Sequence, residues 1–257
     1  MLISQNDTPL RSAQLTMVEM MKVVHSVCVE HNISYWLSDG SLLGSERHKG
    51  FIPWDDDSDI GMLRDDYNKF AKVIADKLPS KFHIETETVH THGKHNWLKI
   101  LYLDDFEWED WNGENRKGIS IDIFPFDFVQ APNHKTPLEK GVHRLASILY
   151  PENVTGLKDL IRRIIYNSKI HNMYTKVNKP SKYITYGIET PYFGWAYFEV
   201  DDIFPLQMGE FENNQFYIPR NPSRYLTTLY GDDYMELPEE SKRQSHMTNL
   251  SFSKDHQ

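Results

Sequence analysis

Four aspartates fall within five positions of this chain, and apolar residues flank them on both sides. The acidic run, residues 55–59, lies between the apolar segments 51–54 and 60–62. This setting predicts the edge of a buried strand, because a solvated acidic tail is not normally enclosed by apolar residues. Side chains alternate across a strand, so every second aspartate shares one side while Asp56 points the other way. The aspartates predicted to share a side are Asp55, Asp57 and Asp59.

A single aspartate on a separate predicted strand is a candidate for the same site. Residues 118–124 alternate as a strand does, and Asp122 lies between Ile121 and Ile123. If this strand neighbours the acidic run, its carboxylate completes a set of ligands for a hard divalent cation, which oxygen atoms bind best. Such a cation would also offset the mutual repulsion of clustered carboxylates. The run alone fits a solvated acidic loop or a calcium site equally well.

Candidate phosphate-binding groups precede the acidic run. Gly40-Ser41 predicts a tight turn whose backbone amides approach a phosphate closely, with the Ser41 hydroxyl as a further donor. Arg47 and Lys49 carry charges suited to phosphate oxygens, and Lys99, on an apolar predicted strand, is a third candidate. Phosphate donors that face a carboxylate-bound cation are the arrangement that phosphoryl or nucleotidyl transfer requires.

Periodicity along the chain predicts an α+β fold with a mixed sheet. We treat residues 1–257 as one domain, with a catalytic sheet core in 1–130 and a helical and hairpin lobe in 131–257. The predicted helices are 9–32, 65–78, 156–176 and one from 222 that Gly231 ends; the predicted strands are 34–38, 97–103 and 118–124, with a hairpin at 208–218.

Charge and cysteine content exclude several classes of protein. The net charge of −9 argues against broad nucleic-acid binding, because phosphate backbones need concentrated basic residues. The single cysteine, Cys28, cannot form an internal disulfide or a cysteine zinc cluster. No apolar stretch approaches the roughly 18 residues of a membrane span, and the start of the chain does not resemble a signal peptide. A cytoplasmic protein is expected.

Several motifs together resemble the LicD family of phosphocholine transferases, which has a nucleotidyltransferase-like fold. The fukutin-related sugar-phosphate transferases share the front motifs. The resemblance covers roughly residues 10–246. The motifs that carry it are 39–44 (DGSLLG), 47–57 (RHKGFIPWDDD), 64–67 (RDDY), 121–127 (IDIFPFD) and 225–232 (YLTTLYGD).

The resemblance implies a transferase that depends on Mg²⁺, or on Mn²⁺, and moves phosphocholine from CDP-choline to a hydroxyl of a cell-surface glycan of the lipopolysaccharide, teichoic acid or capsule type. Asp57 and Asp59 would hold the metal on the donor diphosphate, with Asp55 as a further ligand. Asp122 would be a ligand or the base that accepts the hydroxyl proton. The phosphates would be held by Gly40, Ser41, Arg47, Lys49 and Lys99.

Two alternatives remain open from the sequence. The same site could use another CDP-linked donor, such as CDP-ribitol or CDP-glycerol, because the cation and phosphate groups do not contact the distal alcohol. The chain could also be a non-catalytic glycan- or nucleotide-binding protein, although every predicted carboxylate and phosphate-binding residue is present.

Two weaker patterns bear on partners. Aromatic faces bind quaternary ammonium groups such as choline, and the candidates for this contact are Trp97, Tyr102, Trp108, Trp111, Trp195 and Tyr197. Residues 156–182 carry seven basic side chains and one acidic one. This segment predicts either a solvated helix face or a peripheral contact with the inner face of the cell membrane, which would suit a lipid-linked acceptor.

Overall fold

We describe the fold from a computed structural model of the chain. It confirms the predicted α+β class, with helices packed on a mixed sheet. The residues that the structure describes are 8–85, 97–110, 113–130, 141, 180–187, 190, 192, 194–243 and 245–253. The helix predicted over 156–176 lies outside them.

The helices and strands follow one another in a mixed order. The helices are α1 (Pro9–His31), α2 (Asp39–His48), α3 (Arg64–Val73), α4 (Val200–Ile203) and α5 (Pro222–Tyr230), with 3₁₀ turns at Ile74–Asp76 and Glu240–Lys242. The strands are β1 (Trp36–Leu37), β2 (Asp59–Leu63), β3 (His83–Glu85), β4 (Leu98–Glu109), β5 (Asn115–Val129), β6 (Tyr183–Tyr186), β7 (Phe198–Glu199), β8 (Gln207–Phe211), β9 (Asn214–Ile218) and β10 (Thr248–Phe252).

The first and last long helices confirm their predicted ends. The Thr8 side chain accepts a hydrogen bond from the Arg11 amide at the start of α1, and Asn32 ends the helix in the left-handed region at φ 51°. Helix α5 begins at Pro222, and Gly231 follows its last residue at φ 90°. These ends were predictable because capping depends on a few local residue types.

The main sheet brings the two predicted carboxylate segments side by side. Strand β2 pairs in parallel with β5, and Asp59 lies opposite Asp122. Strand β5 also pairs antiparallel with β4 and β6, while β10 pairs with the far edge of β4. Strands β6, β7 and β10, from the second half of the chain, therefore extend the sheet that residues 1–130 begin.

Two local predictions were wrong. Gly40-Ser41 lies in the first turn of α2 and not in an isolated tight turn, and the buried side chains of Leu42 and Leu43 hold that helix against the core. In the acidic run only Asp59 belongs to a strand. Residues 55–58 are extended backbone after a turn at Pro53, where the Asp55 amide donates to the Ile52 carbonyl over 2.9 Å.

The predicted hairpin is confirmed, and its tip is joined to the rest of the fold. Strands β8 and β9 are connected through Glu212 and Asn213, which both have positive φ, as a tight hairpin turn requires. The Glu212 carboxylate accepts two hydrogen bonds from the Arg11 guanidinium, at 2.9 and 2.6 Å, and one from the Phe51 amide at 3.1 Å. This residue therefore links α1, the hairpin and the segment that leads into the acidic run.

None of the helices that the structure describes combines the length and apolar character needed to cross a membrane.

We expect the Glu212→Gln substitution to lower the free energy of unfolding by about 1–3 kcal/mol at neutral pH, because one carboxylate holds a guanidinium and a backbone amide. The Arg11 hydrogen bonds lower the pKa of Glu212. Its contribution is therefore present above the ordinary glutamate pKa and is lost as the pH falls through the lowered pKa.

Urea denaturation at a series of pH values would test this prediction. The matched control is Glu210→Gln, an exposed side chain on the same hairpin, which should leave stability nearly unchanged. A Glu212→Gln defect that stays constant from neutral pH down to about pH 3 would contradict the prediction, because the stabilisation by an ionised carboxylate must diminish below the ordinary glutamate pKa.

Candidate active site

A polar cavity of about 750 Å³ opens beside the parallel pair β2–β5 and the N-terminus of α2. This volume lies within the usual range of small-molecule sites. Acidic side chains form its floor, aromatic rings form one rim, and residues from the C-terminal part of the chain form another wall. The acidic residues on the floor are Asp39, Asp55, Asp57, Asp59 and Asp122.

Strand register places two of these carboxylates next to each other. Asp59 on β2 lies opposite Asp122 on β5. The Asp122 amide also donates a hydrogen bond to the Ser58 carbonyl over 2.8 Å, which joins the acidic run to β5. On the other side of β5, Lys99 lies opposite Asp122, and its Nζ is 2.5 Å from Asp122 Oδ1. Asp122, the carboxylate predicted on a separate strand, therefore lines the cavity and is paired with a lysine.

The extended segment before β2 supplies the other carboxylates. Asp55 and Asp57 line the cavity, while Asp56 is fully buried and lies outside the cavity lining. The buried side chain of Gln14 on α1 donates to the Asp55 carbonyl over 2.9 Å and holds this segment in place. Asp55 and Asp57 therefore lie together at the cavity, although neither belongs to a strand. We call the cavity-facing residues Asp55, Asp57, Asp59 and Asp122 the acidic cluster.

The N-terminus of α2 points at the acidic cluster. A β-carbon added at Gly40 would lie 2.9 Å from Asp55 Oδ2, so the carboxylate approaches the helix closely only because residue 40 has no side chain. The first amides of a helix have no partner within it and carry partial positive charge. This helix end therefore partly offsets the charge of Asp55 and offers amides to a phosphate.

Asp39 is a fifth carboxylate on the cavity floor. It has φ 47°, which is uncommon for a residue with a side chain. The Tyr186 hydroxyl donates to its Oδ1 over 2.5 Å, whereas its Oδ2 is buried without a hydrogen-bond partner among the described residues. An acceptor oxygen that is buried and unpartnered at the floor of a cavity is suited to a cation or to a donor group of a substrate.

Without a cation, the carboxylates on the cavity floor repel one another when they are ionised. Burial, and then the charge of neighbouring aspartates, raises the pKa of both Asp55 and Asp59 well above its ordinary value. Burial also raises the pKa of Asp39 to about 6, although the Tyr186 hydrogen bond opposes it. The aspartates on the cavity floor are hard oxygen donors, which are the ligands that Mg²⁺ and Mn²⁺ prefer. The residues present therefore fit a divalent cation.

Comparison with known proteins agrees with this geometry. Residues 32–154 match the LicD/FKTN/FKRP nucleotidyltransferase domain, and this match includes the acidic cluster, α2 and β5. The chain is also 30% identical over 256 residues to the lipopolysaccharide cholinephosphotransferase LicD of Haemophilus influenzae, covering 92% of this chain and 95% of that protein. The chain belongs to the LicD family. The family predicted from the sequence motifs is thus confirmed.

Other relatives of this LicD family member match over shorter stretches. The ribitol 5-phosphate transferase FKRP of Mus musculus is 44% identical over 108 residues, which are 42% of this chain and 20% of that protein. An uncharacterized protein of Rickettsia typhi is 42% identical over 132 residues, which are 49% of this chain and 38% of that protein.

A histidine near the C-terminus, His246, also lines the cavity. Asp56, Asp57 and His246 present ligand atoms that all lie within 4.8 Å of one another, an arrangement compatible with a divalent metal. Asp56, however, already accepts hydrogen bonds on both oxygens from residues 245–247. The hydrogen bond to Asp56 raises the pKa of His246 to about 9, which favours a proton on the ring. The acidic cluster is therefore the better ligand set.

Two of the five predicted phosphate-binding residues line the cavity, and the other three lie outside its lining. Gly40 and Arg47 line the cavity. The Ser41 hydroxyl is buried, accepts a hydrogen bond from the Asp59 amide over 2.9 Å and donates to Ser58, so it stabilises the fold and is not placed as a phosphate donor. Lys49 is exposed at the C-terminal end of α2, outside the cavity lining. Lys99 contacts Asp122 and is mostly buried, also outside the lining.

Of the aromatic residues predicted to contact choline, Trp195 lines the cavity of this LicD protein. It is 61% exposed, and its ring centroid lies 6.0 Å from that of Tyr192, which is 39% exposed and also lines the cavity. We call Tyr192 and Trp195 the aromatic pair. Trp97, Tyr102, Trp108 and Tyr197 are described but lie outside the cavity lining, and Trp111 lies outside the described residues.

The cavity residues that sequence reasoning missed include Asp39, Tyr192 and His246. Asp39 is the first residue of the motif at 39–44, and a carboxylate directly before Gly40-Ser41 could have indicated a site residue. Tyr192 and His246 had no such signal, because each reaches the cavity from a segment distant in sequence.

We expect Gly40→Ala to weaken Mn²⁺ binding by about tenfold, because the new methyl group displaces the Asp55 carboxylate. The same change should leave the protein folded and at least as stable, since alanine favours a helix over glycine by about 1 kcal/mol. Isothermal titration with MnCl₂ and thermal melting measure the two effects.

The matched control places Gly40→Ala in an Asp55→Ala background, where the methyl group has no carboxylate to displace. There the second substitution should not weaken Mn²⁺ binding further. Equal losses in both backgrounds would show that the effect does not pass through Asp55.

Proposed function

We propose that this chain is a phosphotransferase that moves phosphocholine from CDP-choline to a hydroxyl of a cell-surface glycan, with Mg²⁺ as the preferred cation and Mn²⁺ as a substitute. The observation that carries the proposal is the acidic cluster directly beside the N-terminus of a ten-residue helix, in a cavity large enough for a nucleotide diphosphate. A diphosphate cannot approach four carboxylates unless a cation lies between them.

The residues have distinct roles in this proposal. Asp57, Asp59 and Asp122 hold the cation, with Asp55 as a further ligand, and the bound cation would neutralise charge on the donor diphosphate. The amides at the start of α2, including that of Gly40, contact phosphate oxygens. Ser41, Lys49 and Lys99 are not assigned phosphate contacts, because the structure places their side chains elsewhere.

The transfer exchanges one phosphorus–oxygen bond for another. The acceptor hydroxyl oxygen attacks the phosphorus that bears choline, the bond from that phosphorus to the bridging oxygen breaks, and cytidine monophosphate leaves with the bond's electrons. The hydroxyl proton passes to a cavity carboxylate. Asp122 is the predicted acceptor or a ligand, and its carboxylate forms an ion pair with the adjacent Lys99 ammonium.

The aromatic pair favours choline over an uncharged alcohol. Two exposed rings beside an acidic floor offer both π faces and negative potential to a quaternary ammonium group. A ribitol or glycerol group carries no charge and would gain less from this surface.

The named relatives support an enzyme over a non-catalytic binding protein. The Haemophilus relative is named for cholinephosphotransfer to lipopolysaccharide, and the mouse relative for ribitol 5-phosphate transfer. The second name makes a ribitol phosphate donor the alternative function. A lipid-linked acceptor and membrane contact through 156–182 stay predictions.

A thermal-shift panel tests donor choice directly. CDP-choline, CDP-ribitol, CDP-glycerol, CTP and ATP would each be added to the protein with Mg²⁺. We expect the largest rise in melting temperature with CDP-choline. A larger rise with CDP-ribitol would favour the alternative function, and a preference for ATP would contradict both.

We expect Asp59→Asn to abolish transfer and yet raise the melting temperature of the metal-free protein. Asp59 is 8% exposed and is repelled by its acidic neighbours, so its charge costs stability at neutral pH. Each kcal/mol of repulsion removed corresponds to a rise of about 2–4 °C. Transfer is measured as CMP release from CDP-choline in the presence of purified lipopolysaccharide.

The cation dependence of melting provides the control. Mg²⁺ or Mn²⁺ should stabilise the wild-type protein and have little effect on Asp59→Asn. Asp76→Asn, which changes an exposed aspartate outside the cavity lining, should behave as wild type. Wild-type CMP release by Asp59→Asn at saturating Mg²⁺ would refute the metal assignment.

We expect Trp195→Leu to lower kcat/KM for CDP-choline roughly fivefold, which corresponds to the loss of about 1 kcal/mol of cation–π attraction. With CDP-ribitol the change should be small. Trp108→Leu is the matched control, since the Trp108 indole donates to the Gly118 carbonyl and the side chain lies outside the cavity lining. Equal losses with both donors would show that Trp195 does not read the choline group.

A further inference from the structure

A segment near the C-terminus enters the acidic run. Asp56 Oδ1 accepts from the His246 amide at 3.1 Å and lies 3.3 Å from His246 Nδ1, while Oδ2 accepts from the Ser245 hydroxyl and the Met247 amide, each at 2.5 Å. These contacts join residues about 190 positions apart in sequence. Asp56 is 0% exposed.

These hydrogen bonds give a role to Asp56, the one aspartate of the run that lies outside the cavity lining. A carboxylate has about four acceptor positions, and the four contacts from residues 245–247 occupy those of Asp56. Charge-assisted hydrogen bonds to backbone amides are among the stronger ones in proteins. Asp56 therefore anchors the C-terminal segment and is not available as a metal ligand.

Because Asp56 holds residues 245–247, the His246 ring lies against Asp57, which is a predicted metal ligand. His246 Nδ1 lies 3.2 Å from Asp57 Oδ2 as well as 3.3 Å from Asp56 Oδ1. Both neighbours are carboxylate oxygens, which accept and do not donate, so the ring proton belongs on Nδ1. The side chain is 53% exposed and lines the cavity.

Other contacts hold the same wall independently of Asp56. The Arg243 guanidinium lies over the Trp54 ring at 4.4 Å. Arg47 donates to the backbone carbonyls of Tyr234 and Glu236 at 3.2 and 3.1 Å. Strand β10, which begins two residues after His246, pairs with β4. The wall should therefore stay folded when the His246 side chain is removed.

We propose that His246 is a positioning residue that orients the Asp57 carboxylate toward the cation, and that Asp56 positions His246. Hydrogen bonds from a second residue fix the orientation of a metal-binding group, and their loss commonly costs 10–100-fold in metal affinity or activity. This inference rests on one part of the proposed function, namely that the acidic cluster binds a divalent cation. It does not depend on which donor molecule the enzyme uses.

The test compares two substitutions at one position. His246→Ala removes the hydrogen bond to Asp57, whereas the amide nitrogen of His246→Asn occupies about the place of Nδ1 and keeps it. We expect His246→Ala to weaken Mn²⁺ binding about 10–100-fold in isothermal titration and to lower kcat for CMP release by a similar factor, with KM for CDP-choline little changed. His246→Asn should recover most of both losses. His83→Ala, an exposed histidine on β3, is the control.

Each outcome decides the inference. Mn²⁺ binding and kcat at wild-type level in His246→Ala would overturn it, as would equal defects in the Ala and Asn variants accompanied by a lower melting temperature. If wild-type protein bound no Mn²⁺, the proposed function and this inference would both fail. If wild-type protein and His246→Ala bound Mn²⁺ equally, only this inference would fail.

Asp56→Asn tests the second half of the inference. An asparagine cannot accept on both sides, so we expect faster hydrogen exchange at the amides of His246 and Met247 by at least tenfold. In a His246→Ala background, Asp56→Asn should reduce Mn²⁺ affinity less than it does in the wild-type background, because the residue that it positions is already absent. Unchanged exchange, or an equal loss in both backgrounds, would overturn the anchor role of Asp56.

Discussion

Repulsion among buried carboxylates is the constraint on which the rest of this structure depends. Asp55, Asp57, Asp59 and Asp122 crowd one side of a cavity, and burial together with the charge of neighbouring aspartates raises the pKa of Asp55 and Asp59. The fold brings positive partners from three directions: Lys99 beside Asp122, the N-terminus of α2 beside Asp55, and His246 beside Asp57. These partners offset part of the charge, and the remainder would favour a divalent cation in the proposed function.

Much of the surrounding architecture holds this cluster in place. The parallel register of β2 and β5 aligns Asp59 with Asp122, and Gln14 on α1 holds the segment that carries Asp55. At the back of that segment, Glu212 on the hairpin tip joins α1 through Arg11. Elements far apart in sequence thus converge on a few residues, and these contacts join the hairpin and the C-terminal strand to the rest of the fold.

The sequence was sufficient for the features that depend on local chemistry. The ends of α1 and α5 and the hairpin turn follow from capping and turn preferences. It was insufficient where tertiary contacts decide. Ser41 has the right chemistry for a phosphate donor, but its hydroxyl bonds the Asp59 amide, and nothing local to residue 246 indicates that its ring meets Asp57.

In the proposed function the acidic cluster, and not the Asp56 anchor, binds the cation. Anomalous diffraction at the manganese edge, from crystals grown with MnCl₂ and CDP-choline, would locate the ion directly. We expect a single strong peak about 2.1 Å from carboxylate oxygens of Asp57, Asp59 and Asp122, in contact with the donor diphosphate. A peak between Asp56 and His246, or no peak in the cavity at saturating Mn²⁺, would show that the acidic cluster does not bind the cation.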